Sequence, residues 1–176
     1  RQHGHIAAVG FDLYCQILER AVGELKGEAV EEPHPVSLHL GVDIKIPESY
    51  LPEAGDRLVI YKRLAGARDD DDIDRLQAET EDRFGRLPVA GRNLFAMGRL
   101  RVLAEAAGVK AIDLIDDRLQ IRFHDLPAVD PRTVLAVTAE QGGTLKPSGV
   151  VVLPAPPQGA DRIGSVAALL DRMLPS

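Results

Sequence analysis

The sequence predicts an α+β fold in which a small mixed or antiparallel sheet packs against several helices, with a helical block at the centre of the chain. Three observations carry this. Successive stretches between residues 58 and 108 place apolar side chains at helical spacing, runs at 36–46 and 109–124 alternate as strands do, and a short apolar run at 149–156 ends in prolines. No internal repeat, heptad array or low-complexity tract competes with that reading.

The first element is a helix from Val9 to about Lys26, with Phe11, Tyr14, Leu18, Val22 and Leu25 on one face and Leu13, Ile17 and Ala21 widening it. Gly23 weakens its end, and the acidic, proline-bearing KGEAVEEPHP reads as a linker. VSLHLGVDIKI, residues 36–46, reads as an extended segment or two short strands divided around Gly41, and Pro47 stops it.

After the turn-rich PESYLPEAG, Leu58, Tyr61 and Leu64/Ala65 mark a short helix. DDDDIDRLQAETEDRFG marks a second, with Ile73, Leu76, Thr80 and Phe84 as its stripe; the aspartates at 69–72 suit its N-terminal cap and dipole, and Gly85 suits its end. Pro88 opens a third, in which Leu94, Met97, Leu100/Arg101 and Ala104 run to Gly108.

VKAIDLI and LQIRFH form a hairpin with Asp116-Asp117 at its tip. Asp130-Pro131 starts a helix through Ala139, although TVLAV also has strand character. GVVVLPAP is a strand, and ADRIGSVAALLDRML is a terminal amphipathic helix.

Composition narrows the function. At 176 residues, with 45 % hydrophobic content, 4 % aromatic and no Trp, the core must be aliphatic. A net charge of -6 opposes general attraction to nucleic acid or an anionic bilayer. One cysteine, Cys15, excludes an internal disulfide and fits a reducing, cytoplasmic setting. No apolar run is long enough to span a membrane, so no membrane partner is expected.

Motifs for chemistry are scarce. His3, His5, His34, His39 and His124 lack the spacing of a tetrahedral site. The aspartates at 69–72 form no calcium-loop pattern. Gly142 and Gly143 belong to no phosphate loop, and Ser37, Ser49, Ser148 and Ser165 lie in no nucleophile-elbow context. Asp113, Asp116 and Asp117 read as hairpin surface. Arg83, Arg86, Arg92, Arg99 and Arg101 make a weak basic cluster, offset by Glu79, Glu81 and Asp82, so a weak DNA-binding accessory module is the alternative reading. Glu79 and Asp82, three apart on one helix, offer two neighbouring carboxylates to a partner's arginines, or else simply solubilise the surface.

GHIAAVGFDLYCQILERAV, YLPEAGDRLVIYKRLAGA and ETEDRFGRLPVAGRNLFAMGRLRVLAEAAGVK, in that order, resemble the C-terminal (TRCF) domain of the bacterial transcription-repair coupling factor family. The resemblance implies that residues 1–8 are a remnant of the preceding motor translocation motif, with Gln2 as that motif's terminal glutamine. It implies a linking helix and linker over 9–35 and a regulatory α+β domain over 36–176. It further implies a non-catalytic domain, without cofactors of its own, that packs on a UvrB-like module of the same protein, hides that module's UvrA-binding surface and restrains the motor. ATP and magnesium, RNA polymerase and double-stranded DNA then belong to other parts of the full-length protein. The family's acidic contact positions fall on Glu79 and Asp82; Phe84 is expected in the core and Gly85 at the helix cap. Thr80 and Glu81 stand where the family commonly has aliphatic residues.

Overall fold

The computed structural model describes residues 35–124, 128–157 and 159–175. The expected N-terminal helix and linker, Gln2, Cys15, His3, His5 and His34 lie outside them. Among the described residues five helices and one mixed five-stranded sheet form, which makes the fold α+β. The chain divides into two compact units, one holding residues 43–99 and the other residues 36–42 and those from Leu100 onward.

In the first unit, α1 (Ala54–Ala65) buries Arg57, Ile60, Tyr61 and Leu64. Leu58, expected on that stripe, is instead 37 % exposed. Arg57 takes the inward position. Its stem is buried while Nη1 donates to the carbonyls of Leu51 (2.6 Å) and Pro52 (2.9 Å), so the charge enters with backbone acceptors for that nitrogen.

α2 (Asp70–Phe84) begins where the sequence indicates: Asp69 accepts from the Asp72 amide at 2.9 Å, and Asp70, Asp71 and Asp72 occupy the positive end of the helix dipole. Ile73, Leu76 and Thr80 face inward. Thr80 is buried without leaving a bare hydroxyl, because its Oγ1 donates to the Leu76 carbonyl at 2.7 Å. Gly85 ends the helix at φ +91°, a conformation in which glycine escapes the side-chain clash.

α3 (Val89–Ala106) starts after Pro88, and its residues up to Arg99 belong to this unit. Gly98 is there for space: a Cβ on it would lie 2.4 Å from Cδ2 of the fully buried Leu64 of α1.

The second unit holds the sheet. Strands β2 (Val109–Ile115) and β3 (Arg118–Phe123) pair antiparallel with Ile115 opposite Arg118. The two residues between them, Asp116 and Asp117, have φ of +47° and +60°. Two left-handed central residues define a type I′ turn, whose twist matches that of the hairpin. The segment 36–46 supplies only β1 (Ser37–His39), parallel to β2. A second strand does not form after Gly41, whose φ of +66° turns the chain out of the extended path.

Asp130-Pro131 opens a helix, α4 (Pro131–Glu140). The Asp130 carboxylate accepts from the Arg132 amide at 2.9 Å, and Val134, Val137 and Thr138 are buried at helical spacing, which decides against a strand. The short β4 (Thr144–Leu145) has no counterpart in the sequence reading. It pairs with β5 (Val150–Pro154), which also pairs with β3, giving the order β1-β2-β3-β5-β4. The terminal helix α5 (Arg162–Met173) is capped by Asp161 and buries Ile163, Val166, Leu170 and Met173. No helix among the described residues is long and apolar enough to cross a membrane.

Candidate protein-interaction site

The periodicity that turns Ile73, Leu76 and Thr80 inward turns Arg75, Glu79 and Asp82 outward. Glu79 and Asp82 are exposed neighbours on this face, but their surroundings differ. Arg63, in the last turn of α1, donates from Nη1 to Glu79 Oε2 at 2.6 Å. The Asp82 carboxylate makes no hydrogen bond or ion pair with another described residue.

The Arg63 hydrogen bond, reinforced by its charge and more weakly by Arg75, holds the Glu79 carboxyl below the usual glutamate value and raises the Arg63 guanidinium. Both side chains remain accessible, at 48 % for Arg63 and 59 % for Glu79, so water and salt screen the pair.

Beside this pair lies a shallow groove of about 350 Å³, lined by Arg63, Gly66, Ala67, Asp72, Arg75, Leu76 and Glu79. Asp72 is occupied: it accepts from the Arg68 amide at 3.0 Å and from Arg75 Nη2 at 2.8 Å. The Arg68 amide, then the Arg68 and Arg75 charges, lower its carboxyl. The aspartates at 69–72 therefore serve the start of α2 through Asp69 and Asp72.

The end of α2 is fixed by contacts that sequence patterns do not disclose. Phe84, expected in the core, is half-buried instead. As the last helical residue it packs at the margin of the block, with the Tyr50 ring edge-on at 6.4 Å and the Arg83 guanidinium 4.8 Å from its centroid. The Tyr50 hydroxyl donates to the Gly85 carbonyl at 2.6 Å, tying the C-cap to the turn at 47–51. Burial, and secondly the charge of Glu81, raise the Tyr50 hydroxyl above its ordinary value. Nothing in PESYLPEAG distinguishes this tyrosine as an anchor; the pairing exists only once the chain is folded.

The basic cluster is largely engaged within the protein. Arg92 Nη1 donates to the Leu87 carbonyl at 2.9 Å, and Arg99 Nη2 donates to Asp74 at 2.7 Å and Gln77 at 2.9 Å. In the second unit, Arg101 pairs with Glu105 at 2.9 Å. Guanidiniums held this way contribute less to phosphate binding than free ones.

In the sheet, His39 Nδ1 lies 2.9 Å from Asp113 Oδ1 and 3.2 Å from Ser37 Oγ. Serine and carboxylate thus meet the same ring nitrogen, whereas a nucleophile relay requires them on opposite nitrogens. Among the described residues, no group of three or more His, Cys, Asp or Glu residues is placed to hold a metal ion.

A family model described as the TRCF domain matches residues 40–134, from the segment before α1 into α4. Transcription-repair coupling factors are similar over most of the chain. That of Haemophilus influenzae is 38 % identical over 135 residues, covering 74 % of this chain and 12 % of the relative. That of Escherichia coli is 30 % identical over 147 residues, covering 80 % and 13 %. That of Bacillus subtilis is 33 % identical over 126 residues, covering 71 % and 11 %. A crystal structure of the C-terminal domain of a transcription-repair coupling factor superposes with a TM-score of 0.68 over 79 % of this chain and 89 % of that one; at 18 % identity this likeness speaks for the fold.

The chain therefore belongs to the TRCF domain family and has the fold of the C-terminal domain of transcription-repair coupling factors. It spans between 12 % and 17 % of the length of the first curated relatives it matches.

Proposed function

We propose that this chain is a non-catalytic docking domain that places the outer face of α2 against an arginine-bearing UvrB-like module of a coupling factor, masking that module's UvrA-binding surface and restraining its DNA motor. The observation that carries the reading is the open side of Asp82 next to Glu79, both displayed on a helix whose two ends are anchored. Preformed carboxylates on a rigid helix lose little freedom on binding, and charged complementarity favours a guanidinium partner. Exposed ion pairs are individually weak, which suits a contact that must open; tethering within one polypeptide supplies the effective concentration to keep it closed.

On this reading residues 36–176 form the regulatory domain and 9–35 connect it to the motor. Gln2 corresponds to the terminal glutamine of the translocation motif. The protein works in the cytoplasm, without a membrane partner. ATP, magnesium, RNA polymerase and double-stranded DNA are handled by other modules of the full-length protein, and the domain itself requires no cofactor.

The test is calorimetric binding of this chain to a separately expressed UvrB-like module at low and moderate salt. Native chain is expected to bind with an affinity that falls as salt rises, and Glu79→Ala with Asp82→Ala is expected to weaken binding at least tenfold. Salt-independent binding that survives the double substitution would place the contact on another face.

A further inference from the structure

The two carboxylates are not equivalent, and the difference has a regulatory consequence. We propose that Arg63 is an internal stand-in for the partner's cation: it holds Glu79 in the free domain and is displaced when an incoming guanidinium, engaged first by Asp82, moves onto Glu79. The inference rests on the reading of Glu79 and Asp82 as docking carboxylates and deepens it.

The contact is already shaped as the proposed one would be, a guanidinium nitrogen on a glutamate oxygen at 2.6 Å. Its partners sit on different helices, α1 and α2, and both are about half exposed, so water can replace either one as the other leaves. The groove alongside is open to solvent and lined chiefly by the charged side chains of Arg63, Asp72, Arg75 and Glu79, with Ala67 and Leu76 buried beneath them, so an incoming guanidinium reaches Glu79 through a polar surface.

Sharing in place of exchange is opposed by charge. Glu79 already feels Arg75 as well as Arg63, and a further guanidinium on its carboxylate would add a like charge beside Arg63. Asp82, with no partner among the described residues, meets no such competition. Binding thus proceeds from the open carboxylate to the occupied one, and Arg63 lowers the affinity of the closed state by the strength of the contact it gives up.

The experiment measures binding of the UvrB-like module to the native chain, Arg63→Gln, Glu79→Gln, Asp82→Asn and the Arg63→Gln/Glu79→Gln double variant, and follows the Arg63 guanidinium by nitrogen-15 NMR during titration. Arg63→Gln is expected to bind roughly two- to fivefold tighter than native. That gain should vanish in the Glu79→Gln background, and the Arg63 signal should lose its paired position as module is added. Equal or weaker binding by Arg63→Gln, with Asp82→Asn still weakening the complex, would overturn the exchange and leave docking through this face intact. Absence of binding by the native chain, or binding untouched by both Asp82→Asn and Glu79→Gln, would overturn the docking reading and the exchange together.

Discussion

Arg63 of α1 and Glu79 of α2 are joined by a 2.6 Å hydrogen bond between Nη1 and Oε2, so of the neighbouring carboxylates Glu79 and Asp82 the first is already partnered within the domain. This linkage has a measurable signature in proton binding. The Glu79 carboxyl should titrate below its ordinary value of 4.5, and Arg63→Gln should return it upward. Because the folded value is lowered, the pair's contribution to stability is complete above the unfolded carboxyl's value and is lost as pH falls through the folded one. Carbon-13 titration of the glutamate carboxyls in both proteins decides it; an unchanged Glu79 curve in Arg63→Gln would mean that Arg63 is not the cause.

Tyr50 tests the anchoring of the C-terminal end of α2. Its hydroxyl donates to the Gly85 carbonyl, and its raised value means that the folded protein holds the proton longer than the unfolded chain. Stability should therefore fall as pH rises above the unfolded tyrosine value of 10.0, and Tyr50→Phe should remove that part of the decline while costing about 0.5–1.5 kcal/mol at neutral pH. Urea unfolding of both proteins at pH 7 and above pH 10 makes the comparison.

Much of this architecture is legible in the sequence because the signals are local. Asp69 and Asp130 announce helix starts, Asp116-Asp117 between alternating runs announces a hairpin, and both assignments rest on backbone geometry within a few residues. What is not legible is set by distant partners. Leu58 and Arg57 are equally compatible with the inward stripe until the carbonyls of Leu51 and Pro52 supply the arginine with acceptors. Phe84 has the spacing of a core residue, yet it lies at the end of its helix beside Tyr50. For the site, spacing alone places Glu79 and Asp82 on one face, but their different occupancy depends on α1 packing beside α2 and bringing Arg63 within reach.

Gly143 tests the packing of β5 in the second unit. A Cβ there would lie 2.4 Å from Leu153 Cδ2 and 2.5 Å from the Val152 carbonyl oxygen, and the backbone oxygen cannot swing aside as a side-chain tip can. Gly143→Ala should destabilise by about 1–3 kcal/mol in chemical denaturation. A neutral effect would mean that β5 has room to shift.

The hairpin tip offers a substitution of the opposite sign. Asp117 adopts φ +60°, where glycine is free of strain and a β-branched residue is not. Asp117→Gly should raise stability by up to about 1 kcal/mol, after allowance for glycine's greater freedom in the unfolded chain, and Asp117→Val should lower it by about 1–2 kcal/mol. Thermal unfolding of the two variants should rank them on either side of the native protein; the reverse order would contradict the type I′ assignment.

The proposed masking requires this domain to cover the surface UvrA would use. Its most direct measurement is a competition in which UvrA is titrated against the UvrB-like module with and without a saturating amount of this chain. Native chain should suppress UvrA binding, and the Glu79→Ala/Asp82→Ala chain should not. Full UvrA binding while native chain remains on the module, forming a complex of all three, would contradict it.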